Sequence, residues 1–211
     1  MKIFICGQKS FGRAVLKRLI DDGHEVVGVA PPPQGRLKDK MVGTALINGV
    51  PVIDDCESLE PSHIPEGTEL IVSAHSHWII SQPCIDKCVF GGIGYHPSLL
   101  PRHRGKDAIR WTTYMGDAVT GGTVYELGQK CDGGRVILQR WRFVDPSWDY
   151  HRLWKEMFPD GVDMVSEAVR LIESGEAVYR EQDERFATWE PSWERPRLKR
   201  SGLLQLGCSD A

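Results

Sequence analysis

The sequence has no apolar run approaching the roughly 18 residues needed to span a bilayer, so no membrane-embedded segment is expected. Its opening, Met1-Lys2-Ile3-Phe4-Ile5-Cys6-Gly7, gives way to Gln8-Lys9 before a signal-peptide core could form. A cytoplasmic location is therefore expected. An excess of one charge is also missing: 26 Lys and Arg stand against 29 Asp and Glu, a net charge of −3. A general nucleic-acid binder would carry a basic surplus, so a small-molecule partner is favoured over a polyanion. Neither an internal repeat nor a low-complexity segment is present. The six cysteines are scattered, and the single CxxxC of Cys84 and Cys88 has no second pair or neighbouring His to complete a zinc set. Reduced thiols without disulfides are expected.

Two phosphate-binding patterns are absent as well. Gly7-Gln8-Lys9-Ser10-Phe11-Gly12 lies between an apolar run and a helical pattern, where backbone N–H groups can meet an anion. It lacks both the Lys-Ser/Thr of a P-loop and the third glycine of a dinucleotide fingerprint. A tight turn and the edge of a ligand site are equally good readings of it.

What is present reads as an α/β chain. Lys2 to Cys6 is strand-like, and Phe11, Val15, Leu16 and Leu19 form one apolar stripe of a helix. Glu25 to Val29 is a second strand, which makes a βαβ opening and predicts a parallel sheet. A helix from Lys38 to Ile47 and a strand-like Pro51-Val52-Ile53 repeat the pattern, and Leu70 to Ala74 reads as the buried central strand. Gly92 to Tyr95 is a further strand, followed by a loop stiffened by Pro97 and Pro101. Asp107 is placed to cap a helix from Ala108 to Met115. Thr120 to Glu126 and Arg135 to Phe143 pair as a long-looped hairpin. Trp148 to Ser174 is helical with an expected break at Phe158-Pro159-Asp160-Gly161. The division expected is a catalytic domain over 1–180 and an extended polar tail over 181–211, whose Arg195, Arg197, Lys199 and Arg200 leave a minor opening for nucleic-acid contact.

Ligands of such sheets bind at the carboxyl ends of the strands. His75-Ser76-His77 follows the central strand, and two histidines two apart on extended chain project to one side, as metal ligands could. With His96 and Asp132 they would supply three imidazoles and a carboxylate, although one HxH is a weak signal. His96 ends a strand and enters the proline-stiffened loop, while Asp132 lies in the glycine-bearing turn Cys131-Asp132-Gly133-Gly134. A histidine with a carboxylate partner is the minimal acid–base pair for work near neutral pH. No metal is expected.

The stretch Gly94-Tyr95-His96-Pro97-Ser98-Leu99-Leu100-Pro101-Arg102-His103-Arg104-Gly105 strongly resembles the loop of the folate-dependent formyltransferases. Gly121-Gly122-Thr123 and Cys131-Asp132-Gly133-Gly134-Arg135-Val136-Ile137-Leu138-Gln139 continue the match in order, as do the Gly7 turn and Gly23 to Val29. The resemblance runs from about residue 1 to residue 176, with a weaker echo over 182–190. Within the family the pattern is most similar to the N-terminal hydrolase domain of 10-formyltetrahydrofolate dehydrogenase. The printed sequence contains neither the dehydrogenase's later domains nor the tRNA-holding domain of other members. One departure stands out: the transferases usually carry Asn two residues before the histidine, where this chain has Gly94.

The resemblance implies a Rossmann-like formyltransferase fold, a twisted and mostly parallel sheet with helices on both faces. It implies 10-formyltetrahydrofolate as the one-carbon donor, with the pterin against His77, Trp78 and Ile80 and against Lys130, Cys131, Gly133 and Gly134. His96 and Asp132 take the catalytic roles. The acceptor is a small amine, with water as the alternative, and a folate-binding protein without catalysis as the non-enzyme reading. Acceptor contacts are expected in variable loops such as Pro31 to Lys40.

Overall fold

A computed structural model describes residues 1–32, 39–53 and 56–193. The expected contacts of residues 33–38, Cys208 and the basic residues beyond 193 lie outside the described residues. Six strands form one sheet: β1 (Lys2–Gly7), β2 (Glu25–Ala30), β3 (Leu70–Ala74), β4 (Gly92–His96), β5 (Val119–Glu126) and β6 (Val136–Phe143), in the order β2-β1-β3-β4-β5-β6. The first four run parallel, and β5 and β6 are antiparallel to their neighbours. The helices are α1 (Lys9–Asp21), α2 (Lys40–Ile47), α3 (Gln82–Asp86), α4 (Ala108–Met115) and α5 (Tyr150–Ser174).

The two faces of the sheet are covered unequally. Ile3, Ile5, Leu70, Val72, Ala74, Ile93, Tyr95 and Val124 pack against the apolar stripes of α1 and α5 in the main core. The alternate residues Phe4, Cys6 and Ile71 point to the other face. There, among the described residues, Cys84 of the short α3, Cys88 and connecting segments cover them, with Trp78, Ile80 and Leu127 half-buried at the margin. Because strand residues alternate faces, Gly94 and His96 of β4 belong to this second, thinly covered face. The glycine turn after β1 is explained by packing: a Cβ at Gly7 would lie 2.6 Å from the Ala74 carbonyl oxygen.

Three expectations are corrected. The segment Pro51-Val52-Ile53 adds no strand; Val52 makes a single bridge to Val29. Asp107 precedes α4 in a left-handed conformation (φ 66°) that Asp tolerates, and its side chain does not cap the helix. Its Oδ2 instead accepts a hydrogen bond from the Trp193 backbone N–H at 3.0 Å, tying the chain's later segment to the base of α4. The third is α5, which runs unbroken through Pro159. A helix-interior proline costs about 3 kcal/mol. Both halves of α5 are buried on one stripe (Leu153, Met157, Gly161, Met164, Val165, Ala168, Val169 and Ile172), and each fully buried large side chain returns roughly 1.5–3 kcal/mol. Tertiary burial therefore outweighs the local break.

Residues 181–193 are extended apart from a short 3-10 turn over Glu184–Phe186, yet they lie along the domain. Val136 and Arg180 exchange both backbone hydrogen bonds, and the Arg104 N–H donates to the Thr188 carbonyl. Among the described residues no helix is long and apolar enough to cross a membrane.

Gly161 is where α5 rests on β4, since a Cβ there would lie 2.6 Å from Tyr95 Cζ. Gly161→Ala should therefore lower the unfolding free energy by about 1–3 kcal/mol, the usual cost of overpacking, despite alanine's better helix propensity. Urea denaturation measures it.

Candidate functional site

β4 delivers His96 to the second face, where its ring is buried, with 8% of the side chain exposed. Its Nε2 is 2.6 Å from the His103 carbonyl oxygen. A carbonyl only accepts, so Nε2 carries the hydrogen and Nδ1 is the nitrogen free to exchange a proton. Nδ1 faces Asp132 Oδ2 at 3.7 Å, beyond direct hydrogen-bond range. The two groups thus sit beside one another as an ion-pairing couple that leaves each free to address a third atom.

The loop after His96 is fixed on every side. Thr123 Oγ1 donates to the Ser98 carbonyl at 2.7 Å and accepts from the Leu100 N–H at 3.1 Å. Gln139 Nε2 donates to the Leu100 carbonyl at 2.8 Å, and the Leu100–Pro101 peptide is cis. Arg102 makes a two-pronged contact to Asp117, through Nε at 2.9 Å and one terminal nitrogen at 2.7 Å, and His103 Nε2 lies 2.8 Å from the same carboxylate. Burial pushes the Asp117 carboxyl up, but Arg102 and His103 together outweigh it and hold the group below its ordinary range. These bonds place the His103 carbonyl that orients His96.

Asp132 sits in a turn with φ 49°, a left-handed conformation in which Asp is among the better-tolerated residues. Its Oδ2 accepts from the Gly105 N–H at 2.7 Å and its Oδ1 from the Tyr125 hydroxyl at 2.5 Å. Burial, followed by the Asp132 charge, pushes the Tyr125 phenol well above its ordinary value, so it stays a donor. A second clamp holds the turn from outside: Gln182 Nε2 donates to the carbonyls of Asp132 (2.9 Å) and Gly134 (2.7 Å). Buried Arg104 donates in turn to Gln182 Oε1 and to both oxygens of Glu184. Arg104 first, and Lys130 second, draw the Glu184 carboxyl down to about 2.

The structure brings His96 and Asp132 together and sets Trp78 and Ile80 on the same sheet face, with Leu127 beside them. Trp78 is anchored by its indole N–H to the Pro31 carbonyl at 3.1 Å. His77 and Cys131 are exposed, and Lys130 pairs with Glu184 at 2.7 Å. Gly134 is required by the turn itself, since a Cβ there would lie 1.9 Å from the Glu126 carbonyl oxygen, and Gly133 lies against the Lys130 side chain. The HxH grouping does not converge with the site. His75 and His77 stack edge to face at 6.2 Å, and no three metal-ligating side chains meet among the described residues. Tyr125, Gln182 and Arg104 were missed as site residues. Gln182 had a faint signal in the echo over 182–190, whereas Tyr125 becomes visible only through the strand register.

A mixed sheet that presents a His–Asp pair beside a proline-stiffened loop gives a site equipped for acid–base chemistry. The sequence profile of the formyl transferase family matches residues 57–169, more than half of the chain. The chain belongs to that family. It is 37% identical over 210 residues to the cytosolic 10-formyltetrahydrofolate dehydrogenase of Xenopus laevis, covering 94% of this chain and 23% of that protein. Among solved structures it is similar to the glycinamide ribonucleotide transformylase 1 of Symbiobacterium toebii, with TM-score 0.73 and 21% identity, covering 87% of this chain and 94% of that one. It is also similar to an N-formyltransferase of Helicobacter canadensis in complex with folinic acid and dTDP-3-aminofucose, with TM-score 0.75 and 15% identity, covering 92% and 71%. Those two likenesses establish the formyltransferase fold.

Gln182→Ala removes both donors to the Asp132 turn and one acceptor of a buried guanidinium. Leaving such groups unpaired should cost about 1–3 kcal/mol in urea denaturation.

Proposed function

We propose that the protein transfers the formyl group of 10-formyltetrahydrofolate to a small amine. The observation that carries this reading is the buried His96–Asp132 pair, held 3.7 Å apart on the face that also carries Trp78, Ile80 and Leu127. Those three side chains offer an apolar wall for a flat heteroaromatic ring, and backbone groups of the 77–80 and 130–134 segments are the proposed partners of its polar edge. The folate complex of the Helicobacter canadensis relative supports the donor, and its amino-sugar ligand supports a primary amine as acceptor.

In the proposed reaction the amine nitrogen adds to the formyl carbon, forming the new C–N bond and placing the carbonyl electrons on oxygen. Doubly protonated His96 stabilises that oxyanion. Asp132 takes the proton released by the amine. Collapse of the intermediate breaks the bond to the folate nitrogen, which receives the Nδ1 proton of His96, and the proton on Asp132 then returns to Nδ1. Nε2 keeps its hydrogen throughout and donates it to the His103 carbonyl, which holds the ring in place.

One observation favours water as a second acceptor. Gly94 offers no side-chain donor to the oxyanion, and the Tyr125 hydroxyl is committed to Asp132. A weakly held oxyanion slows attack by either nucleophile alike, so water, present at far higher concentration, can compete. The dehydrogenase relative is consistent with such release.

The deciding experiment incubates the protein with 10-formyltetrahydrofolate, alone and with amino-sugar nucleotides or glycinamide-type amines, following formate, tetrahydrofolate and formylated amine separately. Tetrahydrofolate should appear together with formylated amine. Formate in equal yield with and without amines would assign water as the acceptor, and no tetrahydrofolate at all would overturn the enzyme reading. His96→Ala or Asp132→Asn should each lower turnover by roughly 10²–10⁴. The double variant should be little worse than the worse single, because groups that act as a unit are non-additive. Additive losses would separate Asp132 from the pair.

A further inference from the structure

We propose that Tyr125 is a positioning residue for the His96–Asp132 pair, its hydroxyl reaching Asp132 through the space that Gly94 leaves open over β4. In the antiparallel register of β4 and β5, Gly94 lies opposite Tyr125 and His96 opposite Thr123. Directly opposed residues share a face, so the Tyr125 ring rises from the strand next to His96's own. A Cβ at Gly94 would come within 3.1 Å of Tyr125 Cε1, Cζ and the hydroxyl oxygen. The hydroxyl end of the ring therefore lies over the bare glycine, and a side chain at 94 would press on it. Gly94→Asn would put its Cβ in tight contact with Tyr125, which would have to give by a few tenths of an ångström. The room that Gly94 provides is not for Tyr95, which packs on the opposite face with Phe11.

The hydroxyl contact is of the strong kind. At 2.5 Å to Asp132 Oδ1 it lies in the range of an O–H donating to a charged acceptor. Tyr125 is buried, with 7% of its surface exposed, so the ring has little freedom to leave. With Oδ1 held by Tyr125 and Oδ2 by the Gly105 N–H, both oxygens of the carboxylate are fixed. That orientation presents Oδ2 to His96 Nδ1. Without the hydroxyl, one oxygen loses its donor and the carboxylate can rotate away from His96.

The kinetic part of the test rests on the formyl-transfer reading, and an exchange measurement stands apart from it. Tyr125→Phe keeps the ring over Gly94 and deletes only the donor. It should lower kcat by about 10-fold, in keeping with the loss of a hydrogen bond to a charged group. KM for the folate should stay within about twofold, because the lost contact is to Asp132 and not to substrate. A purely structural role would show as a loss of stability rather than as this split between kcat and KM. Amide exchange at Gly105 should quicken by about 10-fold as its acceptor loosens. Unchanged kcat would overturn the proposal. If the wild-type protein proves to transfer no formyl group, the functional reading fails by itself, and unchanged Gly105 exchange in Tyr125→Phe still overturns the positioning role. The shared space has its own cycle: Gly94→Asn should lower Tm in the wild-type background and much less in Tyr125→Ala. Equal losses in both would show that Tyr125 does not occupy the space over Gly94.

Discussion

A carboxylate that is nearly out of water has to be met by donors, and Asp132 imposes that demand on the whole site. Only 11% of its side chain is exposed. An isolated buried charge is prohibitive, so the fold must bring donors to it. They come from different parts of the chain: the Gly105 backbone at the end of the loop after β4, and the Tyr125 hydroxyl on β5. Gln182 then secures the turn's own carbonyls from a segment 50 residues further on. Satisfying one acid therefore pins four pieces of chain together, and His96 acquires its partner as a consequence.

The sheet explains why this meeting happens on one face. The main core is thick, since α1 and α5 bury the alternate residues of the central strands against large side chains. On the opposite face β4 carries Gly92 and Gly94 before His96, so the backbone is bare where a helix would otherwise pack. Tyr125 and Leu127 fill part of that shelf, Trp78 and Ile80 border it, and the chemistry lies at its edge. Leaving the face thinly covered costs burial energy. The loop network repays part of that cost through hydrogen bonds, which are directional and so fix the His103 carbonyl against His96 in a way apolar packing could not.

Much of this could be read from the residues because the local signals agreed with the fold. The apolar stripe of Phe11, Val15, Leu16 and Leu19, the buried run of Leu70 to Ala74 and the hairpin of β5 and β6 all stand where periodicity places them. His96 and Asp132 were legible as a pair because the loop carrying one and the turn carrying the other are distinctive in sequence. At Pro159 and Asp107 tertiary contacts overruled a local rule. Pro159 signals a break, yet burial on both sides of it holds α5 continuous. Asp107 looks like a cap, but its carboxylate is drawn to Trp193, 86 residues away. Tyr125 looks like an ordinary strand aromatic, because only the register with β4 shows that a glycine lies beneath it.

The segment after α5 completes the argument. In sequence it is polar and proline-broken, the composition of a loose end. In the structure Gln182, Glu184 and Thr188 each bond to the loop of residues 97–105 or to the Asp132 turn. Arg104 is the hinge of this contact: with 3% of its surface exposed it needs anionic and carbonyl partners, and among the described residues its guanidinium finds them in Gln182 and Glu184. A buried guanidinium without them would carry an unpaired charge. The site is therefore closed by chain that lies beyond residue 176, where the resemblance to the family's main motifs fades. Its polarity serves the carbonyls, amides and charges that Gln182, Glu184 and Thr188 meet, while Glu181, Arg185 and Trp189 remain exposed to solvent.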